Sequence, residues 1–232
     1  MRNQHNWLGH FAALQTGALL LLSFPVLTQG QQDPSRWEKD IAAFETADQT
    51  NAPPKNAVLF VGSSSIRLWN TLATDFEGVQ VIQRGFGGSQ MEDVLAFTDR
   101  IVLPYEPRSI LVYEGDNDIA SGKSPEQILR DYQMFVARVQ PKLPRTRIGY
   151  IAIKPSLKRW HLVDQIRAAN GLIRDYSARD DRLEFIDIFT PMLGSDGTPR
   201  KELFIEDGLH MNEKGYRVWT EVIKNRHAKL LD

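Results

Sequence analysis

Five short runs dominated by apolar residues recur along this chain, and stretches with helical spacing lie between them. Ala57–Val61 ends at Gly62, Val79–Ile82 leads into the cluster Gly85-Phe86-Gly87-Gly88, and Ser109–Tyr113 leads into Gly115. Arg147–Ile153 runs into Lys154-Pro155, and Leu183–Asp187 makes the fifth run. Runs this short and this apolar suit strands covered on both faces. Ahead of the first, Trp37, Ile41 and Phe44 recur at steps of three and four within 36–48, the stripe of an amphipathic helix. Further helices are predicted over Met91–Ile101, Pro125–Val139, about 161–178 and about 212–229. Strand and helix alternating in this way require right-handed crossovers and a parallel sheet. The expected fold is a three-layer α/β/α sandwich with a five-stranded parallel sheet. In such sheets ligands sit beyond the carboxyl ends of the strands, so the loops that follow the strands are where chemistry is expected.

The first thirty residues follow a different pattern. Arg2 and two histidines precede the apolar run Gly17–Leu27, and Thr28-Gln29-Gly30 closes it. Basic, apolar and small residues in that order make a secretory signal, and the run is too short for a comfortable membrane span. The expected organisation is a signal peptide over 1–30 and one domain over 31–232. The mature protein is then exported, periplasmic or extracellular, with no stable membrane insertion; the rival is an uncleaved N-terminal anchor.

Charge and composition narrow the partners. The chain holds 28 basic and 29 acidic side chains, a net charge of -1. Loss of residues 1–30 would remove only Arg2 from that balance, leaving -2. Neither value provides a field that would draw the protein to nucleic acid or an anionic membrane. Cysteine is absent, which excludes a disulfide, a thiolate nucleophile and a cysteine-based metal site.

Four loops hold candidate chemistry. Gly62-Ser63-Ser64-Ser65-Ile66 places hydroxyls at a strand-to-helix turn, where backbone N–H groups face the same space. The elbow motif G-x-S-x-G fails because Ile66 stands at its second glycine. Taken alone, such a serine cluster reads as a helix cap. Asp207-Gly208-Leu209-His210 puts an acid three residues before a histidine. The acid can hold one ring nitrogen and leave the other free to take a proton. Beyond the signal only His161, His210 and His227 remain, and His210 alone has an adjacent acid of this kind. Gly88 and the Asn117 amide, in loops after the second and third strands, are candidate donors to an oxyanion. Read singly, each is a turn or a cap. A serine, a glycine, an asparagine and an Asp-x-x-His in that order after successive strands favour the catalytic reading.

The blocks Phe60–Ser64, Gly85–Gly88, Gly115–Asp118 and Asp207–His210 together resemble those of the SGNH, or GDSL-like, hydrolases. The resemblance is strongest to the platelet-activating-factor acetylhydrolase-like and lysophospholipase/thioesterase-like branches, and it runs from about residue 55 to 225. It implies the flavodoxin-like fold of that superfamily, with Ser64 as nucleophile and Asp207 and His210 as the acid–base pair. The Ser64 N–H, Gly88 N–H and Asn117 amide would form the oxyanion hole. The family needs no metal or organic cofactor and acts on carboxylic esters or thioesters. Two positions depart from its pattern. Ser63 stands where Asp is common, and Gln83 where Asn usually opens the second block. The serine run also leaves Ser63 and Ser65 as alternatives to Ser64.

The expected function is a serine esterase working through an acyl-enzyme on short acyl groups, acetyl above all, of a small-molecule, carbohydrate or lipid ester. Hydrolysis of longer acyl chains, as by a lysophospholipase or thioesterase, and a non-catalytic carbohydrate-binding module are the alternatives. A dinucleotide site around Gly85–Gly88 would need glycine where Gln90 stands. Trp69, Trp160, Tyr113 and Phe86 are candidates to line a substrate pocket, against the plainer reading that they are core. The sequence leaves the oligomeric state open.

Overall fold

The computed structural model describes Met1 and residues 33–232; the expected signal peptide over 1–30 lies, apart from Met1, outside the described residues. A short 3-10 turn over Pro34–Trp37 leads into helix α1 (Glu38–Thr50). The chain then runs β1 (Val58–Gly62), α2 (Ser64–Arg67), α3 (Leu72–Asp75), β2 (Val81–Gly85) and α4 (Met91–Ile101). It continues through β3 (Ser109–Tyr113), α5 (Asp116–Ala120), α6 (Pro125–Val139) and β4 (Arg147–Ile151). It closes with α7 (Val163–Ser177), β5 (Leu183–Ile186) and α8 (Glu213–Arg226). Among the described residues no helix is long and apolar enough to cross a membrane.

All five strands pair in parallel, in the order β2-β1-β3-β4-β5. This is the α/β sandwich that the apolar runs lead one to expect. Every residue of β1 and β3 is buried, as strands covered on both faces require. One face carries α1, α4, α6 and α7, each packed on the next. On that side Tyr150 of β4 meets Tyr132 of α6 at 4.8 Å between ring centroids. The residue next to its sheet neighbour Val112 is Tyr113, which points the other way and meets Trp219 of α8, also at 4.8 Å. Trp69, Phe60 and Phe76 join Trp219 on that second face.

Topology then locates the site. The chain leaves β1 for β2 on one side and later places β3 on the other, so the connections diverge at the end of β1. Gly62 is in register with Gly85 of β2 and Tyr113 of β3, so these three strands end level. Ser64, Gly88 and Asn117 follow those ends by two, three and four residues. Such a divergence is where doubly wound sheets open a crevice.

Candidate active site

Ser63 is the residue before α2 and Ser64 its first helical residue. Ser63 N–H donates to Tyr113 O, and Ser63 O accepts from Ile66 and Arg67, so the turn is fixed by its backbone. Two side chains clamp it from outside. Gln83 Nε2 donates to Ile66 O at 2.6 Å and Trp69 O at 3.1 Å, and Tyr216 Oη of α8 donates to Ser65 O at 3.0 Å. Gln83, one of the two departures from the family pattern, thus holds the turn that carries Ser64. Ser63 and Ser65 are both buried, while Ser64 is partly open.

The Asp207–His210 turn lies between Phe204 and Met211, which form an isolated antiparallel bridge. Asn212 fastens this turn to α8. Its side-chain oxygen accepts from Lys214 and Gly215, and its Nδ2 donates to Glu202 O and Phe204 O. His210 Nδ1 lies 2.5 Å from Asp207 Oδ2, and His210 Nε2 lies 3.1 Å from Ser64 Oγ, 146 residues away in sequence. Asp207 Oδ1 accepts from the N–H groups of Leu209 and His210 at 2.8 and 2.9 Å. Partial burial works toward the neutral acid. The bonds from the His210 ring and the two backbone N–H groups outweigh it and hold the Asp207 carboxyl at about 2. The acid is therefore ionised at neutral and mildly acidic pH. Of the other histidines, His227 pairs with Glu184 of β5 at 2.6 Å, and His161 is exposed.

The donor side is assembled from the next two loops. Among the described residues, neither the Ser64 nor the Gly88 amide N–H finds a protein acceptor. Gly88 takes φ +84°, a conformation that a side chain disfavours, and Trp37 stands 3.3 Å from where its Cβ would be. Asn117 is held at both ends: Nδ2 donates to Ser89 O at 2.9 Å, and Oδ1 accepts from Arg159 at 3.1 Å. One N–H of the amide remains. Among the described residues no group of three or more His, Asp or Glu is placed to hold a metal ion.

Beneath these loops lies a layer of buried charge that strand patterns do not reveal. Asp116 pairs with Lys154 at 2.5 Å and with Arg159 at 2.7 Å. Burial opposes its ionisation, but the two cations prevail and its carboxyl sits below the usual range. Burial pushes Asp118 the other way, up to about 6, although Lys123 and the Met91 N–H favour its charge. Glu114, wholly buried, is raised well above the carboxylate range by desolvation first and then by the charges of Asp118, Asp93 and Asp116. Ser89 Oγ lies 2.9 Å from Phe86 O and 2.6 Å from Glu114 Oε1, and its single proton cannot serve both acceptors. A protonated Glu114 resolves that count. An acid more easily protonated when folded contributes stability that is full below its unfolded pKa and is lost as pH rises above it. Glu114→Gln should remove that loss. Its melting temperature relative to the parent is expected to climb between pH 5 and pH 8, and a difference constant with pH would refute the neutral assignment.

The aromatic candidates divide. Trp69, Tyr113 and Phe86 are fully buried and belong to the core. Trp160 is half-buried, with the Arg167 guanidinium 5.7 Å from its ring centroid. The structure instead brings to the site Trp37, whose periodicity read only as a helix stripe, and Arg159, which no local motif marks.

No curated protein matches the chain. Solved structures share its fold. A Streptococcus pneumonia protein, provisionally described as a platelet activating factor, superposes with a TM-score of 0.74 at 20% identity, over 82% of this chain and 92% of its own. A GDSL-like lipase from Bacteroides thetaiotaomicron gives 0.69 at 19%, over 86% and 98%. A variant of an acetyl-xylooligosaccharide esterase from Geobacillus stearmophilus gives 0.62 at 12%, over 74% and 93%. Identities this low speak for the fold, and the sequence itself supplies the rest. Residues 27–218 match the model of the GDSL-like lipase/acylhydrolase family, and a match over most of the chain, on the family's own fold, makes this protein a member of it.

Proposed function

We propose that this hydrolase is an exported serine esterase that cleaves short-chain carboxylic esters, acetyl esters above all. The observation that carries the reading is the hydrogen-bonded line from Asp207 through His210 to Ser64. His210 takes the Ser64 proton as Oγ attacks the acyl carbonyl, and Asp207 holds the ring and offsets the charge that it gains. The Ser64 and Gly88 N–H groups and the free Asn117 N–H receive the oxyanion. Protonated His210 returns its proton to the departing alkoxide. It then activates water to release the acid and regenerate Ser64. Because the Asp207 carboxyl is held at about 2, it stays ionised through neutral and mildly acidic pH and can hold the His210 ring there.

Two observations support a short acyl group. The Trp37 indole stands against Gly88 and Phe86, which restricts space beside the proposed hole. The sequence between the strands contains no long apolar segment to cover an extended chain. An acetyl-ester hydrolase on the same fold is in keeping with this. Export rests on the leader-like pattern of residues 1–30. The test is a p-nitrophenyl ester series from two to sixteen carbons, with fluorophosphonate labelling of the same preparation. Highest kcat/KM at two to four carbons and labelling at Ser64 are expected. A maximum at long chains would overturn the acyl preference, and failure to label would overturn the serine mechanism.

A further inference from the structure

The loop after β4 ends a buried ion network on the side chain of Asn117. Lys154, 1% exposed, lies 2.5 Å from Asp116 Oδ2 and donates to Tyr113 Oη at 3.1 Å. Arg159 Nη1 lies 2.7 Å from Asp116 Oδ1, while Nη2 donates to Asn117 Oδ1 at 3.1 Å. The Arg159 N–H donates to Ser156 Oγ, and the preceding Lys158 N–H donates to Gly208 O in the turn that carries Asp207 and His210. One short loop is therefore fastened both to the amide and to the acid–base turn.

A primary amide has nearly the same shape either way round, but only its nitrogen end can donate to an oxyanion. Arginine carries donors alone, so it can hold only the oxygen end. Ser89 O is an acceptor alone and can hold only the nitrogen end. The pair sets the amide one way round and leaves a single N–H unspent. The guanidinium charge on Oδ1 also draws electron density from the amide and strengthens that N–H as a donor. Asp116 keeps the planar fork in place, and an ammonium group could not span both partners in the same geometry.

We propose that Arg159 is a positioning residue of the oxyanion hole, setting the orientation and donor strength of the Asn117 amide through its bond to Oδ1. This rests on the hydrolase reading above. Arginine at 159 should consequently affect turnover and leave substrate affinity alone.

The experiment measures p-nitrophenyl acetate hydrolysis by the full chain and by Arg159→Met and Arg159→Lys, each also made in an Asn117→Ala background. Both single variants should lose roughly 10–100-fold in kcat with KM held within about twofold, less than deletion of a donor outright. In the Asn117→Ala background the same changes should cost under about twofold, because the group they act through is gone. Should Arg159→Met fail to fold, Arg159→Lys keeps a cation beside Asp116 and decides the matter alone. An equal loss in both backgrounds would make Arg159 a structural partner of Asp116 only. A raised KM with kcat retained would make it a substrate contact, and unchanged kcat would remove any role; each overturns the inference. An inactive parent enzyme would overturn the hydrolase reading and this inference with it, whereas an active parent with indifferent variants overturns the inference alone.

Discussion

Replacing Ser64 with alanine should lower kcat by roughly 10⁴–10⁶-fold while the protein remains folded. The Ser64 side chain makes one hydrogen bond, to His210, at a partly open position. Losing one such bond costs about 1 kcal/mol and should shift the melting temperature by no more than about 4 °C. On the proposed mechanism turnover depends on the same atom far more, since without Oγ there is no acyl-enzyme and His210 has no proton to take. The damage should not accumulate. Ser64→Ala combined with His210→Ala should be scarcely slower than either alone, because the two act as one unit. Ser63→Ala and Ser65→Ala should stay within about tenfold of the parent, as both hydroxyls are buried and neither meets the imidazole. Near-full activity in Ser64→Ala, with the loss falling on Ser63→Ala or Ser65→Ala, would displace the assignment.

The second large effect falls on stability. Gly62→Ala should cost about 3–5 kcal/mol and lower the melting temperature by about 10 °C or more, measured by thermal unfolding. Gly62 closes β1 at φ +146°, where L side chains are strained. A Cβ there would stand 2.9 Å from the Tyr113 carbonyl carbon and closer still to its oxygen. That carbonyl also accepts the Ser63 N–H, so the clash cannot be relieved without disturbing the turn that carries Ser64. Backbone on backbone leaves no flexible end to yield. A melting temperature within about 2 °C of the parent would show that the strand end can give way.

How far the sequence could be read depended on where each residue's partners lie. Met91–Ile101 and Pro125–Val139 were legible to the residue because their stripes are long and their first turns carry their own caps, such as Ser124 accepting from Gln127. Strand β2 lies at the sheet edge with Gln83 and Arg84 only partly buried, and it starts two residues later than its apolar run suggests. Helices α2, α3 and α5 are four or five residues long, too short for any periodicity to register. Ser64, His210 and Asp207 stood out through local motifs, and the fold supplies the 3.1 Å approach of Ser64 and His210. Arg159 and Lys154 meet Asp116 across 43 and 38 residues, and nothing in their own neighbourhoods announces the pairing. Glu114 looks like an ordinary charged residue after a strand until its complete burial is seen.

The position of the acid–base turn also bears on the order in which the molecule becomes competent. Every strand has been laid down by Ile186, yet Asp207 and His210 come later and are secured to the last helix through Asn212. A nascent chain can thus complete its sheet and present the Ser64 hydroxyl while still lacking a proton acceptor. On the proposed mechanism, hydrolytic competence then waits until the segment beyond the sheet has docked, and turnover would report that docking rather than sheet formation.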